Sequence, residues 1–143
     1  MLKVLGSFFL ASCLLAPSLS GHDDSEGVDV EVLQKSSISW DGDALPEYPE
    51  GTPEVTVLRI TIPAHTKLPL HHHPVINAGV LTRGQLTVVT VDGKELHLEA
   101  GDSLVELVGT VHFGRNDSDE PAEIIVFYAG IQGEPITVKE TRE

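Results

Sequence analysis

The sequence predicts an all-β fold, a sandwich or a closed barrel, and three observations carry that prediction. From Glu54 onward, short runs rich in Val, Ile and Thr follow one another at even spacing. Gly, Pro and Asp punctuate those runs at the places where turns need them. No segment sustains a 3.6-residue apolar period over ten positions, so no helix is expected. At 143 residues the chain has the length of a single domain with one sizeable core.

Residues 1 to 20 read as a signal peptide. Met1-Leu2-Lys3 is a short positive start, Val4 to Ala16 is apolar, and Ser18-Leu19-Ser20 offers small residues for cleavage before Gly21. The apolar run is too short to span a bilayer comfortably, so no membrane span is expected. The mature protein is therefore expected to be periplasmic or secreted. The alternative is a lipoprotein, since Leu10-Ala11-Ser12-Cys13 resembles a lipobox that would place acyl chains on Cys13. It is disfavoured because Leu14 and Leu15 continue the apolar run where a polar tether would stand. Cys13 is the only cysteine, so the cleaved chain has no disulfide and no thiolate ligand despite export. Losing Lys3 takes the formal charge from −13 to −14. That charge excludes nucleic acid as a natural partner and disfavours anionic membrane surfaces.

An N-terminal arm and loop is expected over residues 21 to 53, with the β-barrel domain over 54 to 143. Gly21 to Gly27 is a polar tail in which His22 stands beside Asp23 and Asp24, a pattern of solvated chain. Val28-Asp29-Val30-Glu31-Val32 alternates apolar and acidic residues and predicts a half-buried strand. Trp40-Asp41-Gly42 marks a turn. Leu45 to Pro53 carries three prolines and predicts an irregular loop, able to wrap over a barrel mouth. Strands are then expected over 55–62, 75–81 and 85–91. Asp92-Gly93 is a hairpin signal leading into 95–99, and shorter strands follow at 103–108, 110–113, 123–128 and 136–138. His97 shares a face with Glu95 and Glu99, which is a solvent face.

His71-His72-His73 stands at the head of the 75–81 strand, and packing alone does not explain three consecutive histidines there. On a strand, His71 and His73 point one way with Cα atoms roughly 6.5 to 7 Å apart, and His72 points the other way. Two rings on one face can meet a shared metal at about 2.0 to 2.1 Å. Asn77 falls on the same parity. His112 lies some 40 residues on, where an antiparallel barrel can bring it across from the pair. A site rich in imidazole and free of thiolate favours Fe, Mn, Ni, Cu or Zn over Mg or Ca.

With these spacings the chain resembles the cupin family. His71, His73, Asn77 and Gly84 fall at the positions of the first cupin motif, and Gly101, Leu107, Gly109, His112 and Asn116 at those of the second. The resemblance covers about residues 54 to 130 and implies a jelly-roll barrel, or double-stranded β-helix, with metal ligands His71, His73 and His112. Three positions depart from it. His65 replaces a Gly, and its tolerance of positive φ suits a turn there. Leu107 replaces a Pro. Asn77 replaces the Glu that usually completes the ligand set, so it is expected to line the site and tune a metal that keeps its full 2+ charge. Relatives lacking that carboxylate include thiol dioxygenases, so the resemblance implies a metal-dependent oxygenase or isomerase-like enzyme acting on a small molecule. The competing class is a non-catalytic binder of a sugar, another small molecule or a metal. Pairing into homodimers through sheet edges is also implied. Glu106 and Tyr128 are candidates for the pocket, but no catalytic role can be assigned to either from sequence.

Overall fold

Strand β1 (Pro53–Ile62) sets the pattern for the fold: Leu58, Ile60 and Ile62 turn inward, while Val55, Val57 and Arg59 face out. The computed structural model describes residues 27–141. Residues 1 to 20, expected to be a signal peptide, together with Cys13 and His22, lie outside the described residues. Nine further strands follow: β2 (Thr66–Lys67), β3 (His71–His72), β4 (Ile76–Arg83), β5 (Gln85–Thr90), β6 (Glu95–Glu99), β7 (Ser103–Val105), β8 (His112–Asn116), β9 (Ala122–Ile131) and β10 (Val138–Lys139). There is no helix among the described residues, and so none long and apolar enough to cross a membrane. The all-β expectation is met.

All pairings are antiparallel and form two sheets. One has the order β1-β9-β4-β7. The other runs β10-β3-β8-β5-β6, with β2 also paired to β8. Leu81, Leu86, Leu98, Leu104, Ile124 and Val126 pack into the core between them, each buried side chain stabilising by roughly 1.5–3 kcal/mol. Leu107, at the position where a Pro was expected, is itself a core residue at 1 % exposure.

Turn chemistry fixes the connections. His65 has φ 55°, the left-handed conformation anticipated for it, and its Nε2 meets Asp119 at 3.0 Å. Gly84, between β4 and β5, has φ +75°, and a Cβ there would lie 2.7 Å from the Pro121 carbonyl oxygen, so only glycine fits. The Asp92-Gly93 hairpin closes with Gly93 N–H donating to the Thr90 carbonyl at 3.0 Å.

Two expectations fail. Val28 to Val32 forms no strand, and Val28, Val30 and Val32 are exposed. Alternation shows that a segment could be half buried, but a strand also needs an edge to pair with. The Leu45 to Pro53 loop is irregular as expected, yet it does not cover the barrel mouth. Leu45 and Tyr48 instead border a groove with Val55 and Phe127, on the outer side of the four-stranded sheet.

The histidine segment also differs from a single strand. β3 belongs to the six-stranded sheet and β4 to the four-stranded one, so the chain changes sheets over His73-Pro74-Val75. Proline suits such a corner, because it has no N–H to leave unpaired.

Candidate metal centre

His71 and His112 are direct cross-strand partners on β3 and β8. His73 sits in the corner, its carbonyl accepting from Gly109 N–H at 2.8 Å. The three rings gather with centroids 4.6 to 5.1 Å apart, and one ring nitrogen of each lies within 4.8 Å of the others. His73 and His112 are buried and His71 partly so.

Each of these rings makes the same kind of bond on its other nitrogen. Nδ1 of His71 meets the Pro69 carbonyl, Nδ1 of His73 the Ile136 carbonyl and Nδ1 of His112 the Thr110 carbonyl, all at 2.8 Å. A carbonyl only accepts, so Nδ1 carries the proton and Nε2 presents its lone pair. Burial pushes the His73 imidazole down to about 4. It lowers His71 as well, against the opposing effect of the Pro69 carbonyl. Both rings are therefore neutral at pH 7, the form that binds metal.

Asn77 is 2 % exposed, and its Nδ2 donates to the Val75 carbonyl at 3.3 Å. Its Oδ1 is buried with no hydrogen-bond partner. An orphaned buried acceptor costs about 1–3 kcal/mol. A cation, or a water held by one, is the partner such an oxygen lacks. Donors sharing one ion at about 2.0–2.1 Å stand roughly 3 to 4 Å apart, so the three histidines reach that spacing with small side-chain movements. The residues present fit a metal ion.

Around this cluster lies a cavity of about 220 Å³. Leu58, Ile60, Leu86, Val88 and Val126 form apolar walls, and the histidines, Asn77, Glu106 and Tyr128 form a polar end. Tyr128 lies opposite Asn77 in the sheet register, with its ring 5.4 Å from His73. Burial, and then the Glu106 charge, raises its phenol above the usual value. Glu106 Oε1 accepts from Trp40 Nε1 at 3.1 Å and from Leu107 N–H at 3.0 Å, and lies 3.9 Å from His112 Nε2.

The structure thus brings His71, His73, Asn77 and His112 to one place and excludes the other described histidines. His72 faces away and binds Glu140 at 2.8 Å. His97 is on the surface beside Thr87 and Glu95. Glu106 and Tyr128, unplaced by sequence, both line the cavity. In the sequence Trp40 marks only a turn. An indole N–H that needs an acceptor when buried was the one signal available.

The family described as "Cupin domain" matches residues 58–128. The chain belongs to the cupin family. Among solved structures it is similar to the DMSP lyase DddQ from Ruegeria pomeroyi, with TM-score 0.52 and 22 % identity over 59 % of this chain and 42 % of that one. It is also similar to an uncharacterized conserved protein with a double-stranded β-helix domain from Klebsiella pneumoniae, with TM-score 0.53 and 19 % identity over 66 % of this cupin and 89 % of that chain. The cupin spans less than half the length of the DMSP lyase. These likenesses are of fold. No curated protein matches the chain.

Proposed function

We propose that this cupin is exported, holds one divalent transition-metal ion (Fe, Mn, Ni, Cu or Zn) on His71, His73 and His112, and acts on a small organic molecule as an oxygenase or isomerase-like enzyme. The observation that carries the proposal is the shared tautomer. Three buried or half-buried rings each spend Nδ1 on a backbone carbonyl, which leaves three Nε2 lone pairs in one cluster. Surface histidines have no reason to agree in this way.

With Asn77 in place of a carboxylate, an ion on this ligand set keeps its full positive charge and supplies strong Lewis acidity at its open positions. The chain's own residues supply the rest. Leu58, Ile60 and Val88 exclude water from the cavity and take the apolar body of a ligand. The carbonyls of Pro69, Ile136 and Thr110 hold the three rings in orientation. Asn77, which lines the same cavity, carries a neutral side-chain oxygen with no other partner. Similarity in fold to a DMSP lyase supports a small molecule as substrate.

Elemental analysis of protein purified from the exported fraction tests the metal assignment, with about one transition-metal ion per chain expected. A protein that is metal-free and shows no thermal shift with any first-row divalent ion overturns it. Metal-dependent oxygen uptake or turnover with candidate substrates then separates enzyme from binder. A loaded protein inert to all of them is a binding protein. Mass spectrometry of the same sample is expected to show a mature N-terminus at Gly21. One at an acylated Cys13 makes the protein membrane-tethered instead.

A further inference from the structure

We propose that Glu106 determines the ligand specificity of this site: held in place by Trp40, it accepts a hydrogen bond from a neutral O–H or N–H head group and repels anionic ones. The inference rests on the metal assignment above and goes beyond it, to the chemical class of the ligand.

Glu106 has three relevant contacts. Its Oε1 is pinned by Trp40 Nε1–H at 3.1 Å and by the Leu107 backbone N–H at 3.0 Å. Its own N–H donates to the Asn77 carbonyl at 3.0 Å, which ties its backbone to β4. Oε2 takes part in no hydrogen bond among the described residues, while the side chain lines the cavity at 13 % exposure. A carboxylate oriented through one oxygen and free at the other is an acceptor ready for a ligand.

Geometry places it beside the metal ligands and not among them. The histidines form a group within 4.8 Å. Glu106 is outside that group, although its Oε1 comes within 3.9 Å of His112 Nε2. It therefore borders the position where a ligand would meet the ion.

A bound ion would attract every anion alike, and against that common pull Glu106 acts on the head group beside it; the cavity's other charged lining residue is Lys139, which is exposed. Solvent screens that cation, whereas the half-buried carboxylate acts with little screening. An anionic head group would face Glu106 at close range. A neutral donor on an apolar body satisfies Oε2 and the hydrophobic walls together.

The test uses the mature chain loaded with cobalt(II), read through its visible absorption. Azide serves as the anionic probe and imidazole as the neutral N–H donor, both at pH 8. In Glu106→Gln, azide should bind at least tenfold tighter and imidazole several-fold more weakly, with cobalt affinity changed by less than about 100-fold. Trp40→Phe should move both probes the same way by smaller factors, and adding it to Glu106→Gln should change nothing more. A merely structural role for Trp40 predicts additive losses instead. Unchanged azide affinity in both single variants overturns the proposal. Cobalt loss beyond 100-fold in Glu106→Gln also overturns it, by making Glu106 a ligand. If Glu106→Gln does not fold, Trp40→Phe alone decides. A wild type that takes up no cobalt overturns the metal assignment, and this inference falls with it.

Discussion

The six described histidines fall into two sets of three. His71, His73 and His112 point inward, and each gives Nδ1 to a backbone carbonyl. His65, His72 and His97 lie on the outside, and each meets a carboxylate: Asp119, Glu140 and Glu95. A carbonyl accepts from Nδ1–H and leaves Nε2 with its lone pair facing inward, whereas the carboxylate partners of the other three hold their rings at the surface. The partner of the far nitrogen thus separates a ring prepared for a metal from one that decorates a surface. Neighbouring positions show it best, because His72 differs from His71 and His73 only by facing the other way.

The largest expected effect breaks the inner set. His112→Ala should lower metal affinity well beyond the 10- to 100-fold typical of groups outside the ligand set, measured as metal per chain and by calorimetry. His72→Ala should keep full occupancy. Equal losses in the two variants would erase the distinction.

Protons probe the same contrast. The His73 imidazole titrates near 4 in the folded protein and near 6.5 in the unfolded chain. Between those values the unfolded chain holds a proton that the native state does not, so stability of the metal-free protein rises with pH across that window. The gain amounts to roughly 3 kcal/mol at 1.4 kcal/mol per pH unit. It levels off above about 6.5 and below about 4. Urea denaturation at pH 4.5, 5.5 and 7 checks the slope, and His73→Gln should flatten it. Since His71 is lowered too, metal release on acidification should begin below the 6.5 of free imidazole.

Asn77 comes next in size. Asn77→Ala should weaken metal binding about 10- to 100-fold, and Asn77→Glu should tighten it by adding a negative charge. Weaker binding by the Glu variant than by wild type would show that Oδ1 does not face the ion. Smallest of all, His97→Ala should stay within about 0.5 kcal/mol of wild-type stability and leave metal content unchanged, as thermal melts can confirm.

Much of this architecture is legible in the sequence, for physical reasons. Val55 to Ile62 shows its strand and its faces because β-branched residues with period two have few other uses. His97 shows its exposure through Glu95 and Glu99. His71, His73 and His112 stand out by type and spacing. What escapes is what depends on partners distant in sequence. Val28 to Val32 has the alternation of a strand but no edge to join. Strand parity brings Asn77 to the right face, yet the real path bends at His73-Pro74-Val75 into the other sheet, and local pattern does not encode which sheet a segment joins. Trp40 reaches Glu106 across 66 residues, and nothing around either residue announces the other.

The arm that carries Trp40 is also fastened by its backbone and by a neighbour. Trp40 N–H donates to the Val105 carbonyl at 3.0 Å, Ser103 Oγ donates to the Leu33 carbonyl at 2.7 Å, and the buried Asp41 carboxylate meets Lys94 Nζ at 3.5 Å. All three anchors begin before Pro53, where the strands start, and before residue 58, where the family match begins. A chain trimmed to its recognisable domain would keep the sheets and the histidines while losing the indole that orients the carboxylate beside them. Grafts and minimised versions of this protein should accordingly be cut ahead of Leu33.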